Sequence, residues 1–164
     1  MTQRAPAFLV DTMLGRLARW LRVLGFDTRY EPTLDDRALV RLADAEGRVL
    51  VTRDRHLLRD LRPAASLEVR SDVPIEQLRT VIERLSLAPP AELFTRCLVC
   101  NGVLRDVPPD EARALLPPRS RELPGPVRGC PGCGGVYWPG SHARRMRRTL
   151  EEALAGWLPP PSAA

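Results

Sequence analysis

Two CxxC pairs, Cys97-Leu-Val-Cys100 and Cys130-Pro-Gly-Cys133, constrain the second half of this chain more than any other feature. Each pair can turn back on itself so that two thiolates reach one ion. Four sulfurs around one centre suit tetrahedral Zn2+, held structurally because every coordination position is filled. Gly102, Gly134 and Gly135 follow the pairs closely, where the backbone must bend with its amides toward sulfur. The surrounding stretch from Pro89 to Pro139 is rich in Pro and Gly, so its folding is expected to rest on metal rather than on core burial. Metal binding contributes on the order of 10 kcal/mol in small zinc modules, enough to stand in for a missing core. A dithiol redox centre would need only one such pair, at the strand-to-helix junction of a thioredoxin-like fold.

Ahead of Leu87 the pattern is different: short apolar runs alternate with helical periodicity. Phe8 to Val10 read as a buried strand, followed by a helix over Met13 to Leu24 whose inward stripe is Leu14, Leu17, Leu21 and Leu24. Arg16, Arg19 and Arg22 recur on its polar side. Thr28 to Tyr30 form a second strand. Leu39, Leu42, Ala43 and Ala45 define a helix that starts near Asp36 and stops at Gly47, and Val49 to Val51 form the next strand. A short helix over Leu57 to Leu61, a strand over Leu67 to Val69 and a Pro74-initiated helix over Ile75 to Leu87 complete the series. Strands alternating with helices predict an α/β unit with a parallel sheet flanked by helices.

Parallel strands bring their carboxyl ends to one edge, and three aspartates are read there. Asp11 ends the first strand, Asp36 opens a helix, and Asp54 follows the strand ending at Val51. Carboxylates gathered in one place repel, and a cation offsets that cost. Oxygen-only donors suit Mg2+ or Mn2+, which points to metal-dependent phosphodiester cleavage. Taken singly, each aspartate reads equally as a helix cap or turn residue. Of the adjacent Asp35 and Asp36, one can cap the helix while the other faces the site, and the order is open. His56 reads as a surface or capping residue, because a metal-bound water needs no histidine.

The formal net charge is +5, and all 25 basic residues counted as Lys plus Arg are arginine. Arginine forks pair with phosphates, so a polyanion is the expected partner. Arg16 and Arg19 beside the first aspartate, and Arg53 between Thr52 and Asp54, are candidate phosphate contacts. So are Arg144 and Arg145, which with Arg147 and Arg148 crowd the start of a final helix capped by Ser141 and running from His142 to Trp157. A solvated basic face is the competing reading, with Glu151 and Glu152 pairing to these arginines at helical spacing. No secretory h-region, transmembrane run or transit-like leader is read, so a cytoplasmic protein without a membrane partner is expected.

The opening FLVDTMLGRLARWLRVLGFDTRY, the Asp-led helix followed by Thr52-Arg53-Asp54, and the two cysteine pairs together resemble the Mut-seven C-terminal RNase family, a PIN-like domain joined to a zinc ribbon. The resemblance runs from Phe8 to Met146. It implies a PIN-like domain over 1–90, a four-cysteine zinc ribbon over 91–145, and a C-terminal helix with a disordered tail over 146–164. It also implies RNA as substrate, Asp11, Asp36 and Asp54 as the acidic positions, and pairing of protomers into a homodimer. PIN domains carry a further acid between the first helix and the Asp36 helix, where this chain has only Asp27 to Leu34. Glu31, Asp35 and Asp72 are the available substitutes. The alternative from another class is a non-catalytic RNA-binding or ribosome-associated adaptor with a degenerate PIN-like site, and a third is a toxin built on the same core.

Overall fold

Phe8, Leu9 and Val10 are fully buried and form the central strand β1 (Phe8–Val10) of a computed structural model that describes residues 5–158. Side chains alternate across a strand, so Phe8 and Val10 enter one core layer and Leu9 the other. Burial on both faces is what a parallel sheet requires. Its strands are β2 (Thr28–Tyr30), β1, β3 (Val49–Thr52) and β4 (Ser66–Glu68), in that spatial order and all parallel. The register sets Val10 against Val51 and Leu9 against Leu50, so residues opposite one another share a layer.

One layer holds α1 (Gly15–Val23), α4 (Pro74–Arg84) and α6 (Ser141–Ala153); the other holds α2 (Asp36–Glu46) and α3 (Arg55–Leu61). The leucine stripe Leu14, Leu17, Leu21 and Leu24 is buried as its spacing predicts. Asp35 caps α2 by accepting from the Ala38 amide at 2.8 Å, and Gly47 ends the helix in the left-handed region at φ 62°. Several boundaries differ from the sequence expectation. The first helix begins at Gly15 after a 3-10 turn over Thr12–Leu14, and α4 stops at Arg84, two residues before Ser86 turns left-handed at φ 48°. Strand β4 lies one residue earlier than its apolar run. Gly140, not Ser141, is the N-cap of α6.

The cysteine segment forms a second, antiparallel sheet from β5 (Arg105–Asp106), β6 (Arg128–Gly129) and β7 (Val136–Tyr137), with α5 (Pro109–Leu115) between the first two. Its own apolar cluster is small: Cys97, Leu104 and Cys130, with Tyr137 against them. The expectation that the second part does without core burial needs correction. Leu93, Leu98, Met146, Leu150 and Leu154 belong to the same buried cluster as Phe8 and Leu17, and the Trp157 indole donates to the Leu87 carbonyl at 3.1 Å. No helix among the described residues is long and apolar enough to cross a membrane. The expected disordered tail from Pro159 onward lies outside the described residues.

Leu150 is fully buried although it stands near the end of the chain. Leu150→Ala is therefore expected to cost about 2–5 kcal/mol, the range for a core leucine. Calorimetry should show the main unfolding transition itself shifting downward; an unchanged main transition would mean that α6 is an appendage.

Candidate active site and metal centre

The register of β1 on β3 builds the acidic edge. Asp11 follows Val10 and Thr52 follows Val51, so the two come side by side on the α2–α3 face of the sheet. The Thr52 hydroxyl donates to Asp11 Oδ2 at 2.7 Å, and the Thr12 hydroxyl donates to Oδ1 at 3.1 Å. Asp11 is 7% exposed. Thr52 Oγ1 also accepts the Asp54 amide at 2.9 Å, so one hydroxyl links both aspartates. Asp54 Oδ1 caps α3 through the amides of His56 and Leu57, at 2.8 and 3.1 Å. Asp36, the first residue of α2, completes the group.

Because Asp35 is spent on its cap, Asp36 is the member of the pair that faces Asp54 and Asp11. Its carboxyl is held above the ordinary range by partial desolvation first, then by the charges of Asp54, Asp11 and Asp35. A cleft of about 500 Å³ opens here, lined by Asp35, Asp36, Arg37, Asp54, His56, Leu57, Asp60 and Leu61. Among the described residues, none of Asp11, Asp35, Asp36 and Asp54 has an ion-pair partner. Among the described residues, only the four cysteines form a group of three or more ligand atoms all within 4.8 Å of one another; the three aspartates stand wider than that.

The other sequence candidates are dispersed. Arg16 and Arg19 are exposed on α1, and Arg53 donates to the Arg70 carbonyl at 3.4 Å. Arg144 reaches back to the Pro139 carbonyl at 2.8 Å over the start of α6, and neither it nor exposed Arg145 lines the acidic cleft. Glu31 is engaged by Arg29, and Asp72 is exposed beyond β4. Two roles were not read from the sequence. Thr52 was noted only as part of the Thr52-Arg53-Asp54 motif, and its bond to Asp11 follows from its position opposite that residue. Arg22, assigned to the polar face of the first helix, is 5% exposed.

Cys97, Cys100, Cys130 and Cys133 come together as their spacing predicts. Cys97 and Cys133 Sγ are 3.5 Å apart, Cys100 and Cys130 Sγ 3.3 Å. The first turn uses Asn101 in the left-handed region (φ 67°) where the second uses Gly134 (φ 77°). Gly102 is needed for space instead, since a Cβ there would lie 3.3 Å from Cys130 Sγ. Burial alone would push the Cys97 thiol up, but the Cys100 amide and the Tyr137 hydroxyl, 3.1 Å from its sulfur, bring it down to about 6. The Gly102 amide favours the Cys100 thiolate, yet the neighbouring Cys130 sulfur and burial push that thiol up to about 12. Cys97 thus ionises readily while Cys100 resists it, and this all-sulfur donor set fits Zn2+.

Among curated proteins and solved structures nothing matches this chain. The family model described as the Mut7-C RNAse domain matches residues 6–150, which take in the acidic edge and the cysteine centre alike. With nearly its whole length matched, the chain belongs to the Mut7-C RNAse domain family.

Proposed function

We propose that this protein is a metal-dependent endoribonuclease that hydrolyses RNA phosphodiesters at Asp11, Asp36 and Asp54. The observation that carries the reading is the bare acidic edge: three mutually repelling carboxylates without an ion pair among the described residues, in a chain with 25 arginines. Membership of an RNase family supplies the substrate class. Unpaired oxygen donors fit Mg2+ or Mn2+, and a bound ion of that kind supplies an activated water and offsets charge on the phosphate.

The chain's own residues do the positioning. Thr52 and Thr12 hold the Asp11 carboxylate in one orientation, and the α3 cap fixes Asp54 while leaving Oδ2 free of any bond to that cap. Arg16, Arg19 and Arg53 would hold flanking phosphates without reading bases. Structural Zn2+ at the four cysteines, with the ribbon assisting RNA or partner binding, belongs to the same proposal, as do a cytoplasmic setting and pairing of protomers. A second reading, the non-catalytic RNA-binding or ribosome-associated adaptor, draws on the wide spacing of the aspartates.

Cleavage of single-stranded RNA with Mn2+ present separates the two. Asp54→Asn is the variant of choice because Asn also caps helices well, so the fold is kept. It is expected to lower the cleavage rate by roughly 10²-fold, the scale of losing one electrostatic contact to a transition state, and EDTA should abolish cleavage. Undiminished RNA affinity in EDTA together with no cleavage in Mn2+ would establish the adaptor.

Asp36 gives a further test with a defined sign. An acid whose pKa is raised by folding contributes stability that is present in acid and lost as pH rises through that raised value. Asp36→Asn should therefore raise the melting temperature at pH 7 in EDTA, with the gain vanishing below the ordinary value of 3.8. Mn2+ should stabilise the natural protein more than the variant. A variant less stable at pH 7 would show that Asp36 is held by a favourable contact rather than by repulsion.

A further inference from the structure

Arg22 is buried, yet among the described residues no carboxylate pairs with it. Its guanidinium donates to three carbonyls instead: Nε to Thr28 at 3.0 Å, and Nη1 to Leu98 at 2.9 Å and Val99 at 3.1 Å. Leu98 and Val99 are the two residues enclosed by the first cysteine pair; Thr28 opens the edge strand β2. Neutral dipoles orient a buried cation but do not cancel its charge, and such a charge is costly without a counter-ion. Burial works against the charge of Arg22, and the strongest influences in its favour come from Cys97 and then Cys100.

Asn101, directly after Cys100, makes the same junction from the other side. Its Oδ1 accepts the Thr28 amide at 2.9 Å and its Nδ2 donates to Asp27 Oδ1 at 2.8 Å. Arg96 ties the turn down further, donating to the carbonyls of Gly25 at 3.1 Å and Asn101 at 2.9 Å. Both backbone groups of Thr28 face the open edge of the sheet, where a fifth strand would bond them. Here Asn101 and Arg22 do so. At the far end of β2, the Tyr30 hydroxyl donates to the Thr12 carbonyl at 2.8 Å, in the turn that follows Asp11.

We infer that Arg22 is the counter-charge of the metal-loaded four-cysteine centre, and that Arg22 with Asn101 makes metal loading and the order of edge strand β2 a single coupled equilibrium. Four thiolates around Zn2+ carry a net charge of about −2, which a buried guanidinium beside the first pair partly neutralises. When metal leaves, the centre's charge falls from about −2 to at most that of the Cys97 thiolate, Arg22 loses part of its compensation, and the clasp on Thr28 loosens. Arg22 and Asn101 are thus positioning residues for the strand that supports the Asp11 turn. The cysteine centre works as a prosthetic neighbour of the sheet.

Two measurements on the full chain test this without reference to RNA cleavage. Zn2+ retention is read by competition with a chromophoric chelator. Arg22→Met is expected to weaken it roughly tenfold to a hundredfold, the usual effect of losing an outer-shell partner, and Arg22→Lys should recover most of the loss. Natural-level retention in Arg22→Met, or a lysine variant as weak as the methionine one, would overturn the counter-charge assignment. The second measurement needs no substitution and so survives a variant that fails to fold: exchange of the Thr28 amide should accelerate at least tenfold when Zn2+ is removed. An exchange rate independent of metal would overturn the coupling.

Discussion

The parallel register of β1 against β3 is the constraint on which the candidate site depends. Side-chain direction has a period of two along a strand, so a slip of one residue would send Asp11 into the layer of α1 and α4. In the observed register Asp11 meets Thr52, and the shared hydroxyl aligns Asp11 with Asp54. Register is strongly specified here because both faces of the sheet are buried: Phe8 and Val10 cannot exchange places with Leu9 without repacking two layers. Packing energy in the core thereby fixes the position of polar groups at its rim.

The two edges of this sheet treat charge in opposite ways. At the amino edge, Asp27 precedes β2 and Arg48 precedes β3, and they pair at 2.7 Å; Arg48 also engages Glu46 and the Phe8 carbonyl. Burial alone would raise the Asp27 carboxyl, but hydrogen bonds from Arg48 and Asn101 hold it below the ordinary range. At the carboxyl edge Asp36 moves the other way, through partial desolvation first and then because its neighbours are acids. A chain with 25 arginines does not lack cations to place at this edge. Compensation is applied where the sheet needs closing and withheld where the aspartates face the cleft.

Most of the first-order architecture was legible in the sequence because it follows from periodicity. The leucine stripe of α1, the stop at Gly47 and the two cysteine turns each have a local cause that the residues themselves display. What was hidden depends on contacts between distant segments. Arg22 shares the helical spacing of Arg16 and Arg19, and only the cysteine turn packed over it, more than 70 positions away, makes it a buried residue. Asp35 and Asp36 are chemically alike, and their division of labour is set by the entry angle of the chain into α2. Strands β5 and β6 have two residues each, too short for any alternation to register. The Pro-rich composition after Pro89 concealed Leu93, Leu98 and Leu150, which spend their burial on the first sheet rather than on a core of their own.

The molecule therefore contains two anionic centres that differ in how their charge is answered. The cysteine centre is covered on one side, with Cys97 and Cys130 buried and Cys100 and Cys133 exposed: Arg22 lies against its first turn, and the Tyr137 hydroxyl, itself holding the Leu98 amide at 3.0 Å, reaches Cys97. A four-sulfur donor set with a buried cation beside its first turn suits an ion that is held rather than exchanged. Asp36 and Asp54 line an open cleft together with Arg37, and neither has an ion-pair partner among the described residues. Negative charge left unanswered at an open edge keeps a standing affinity for a cation arriving from solvent, and the proposed metal-dependent site would need that affinity to be renewable at every turnover.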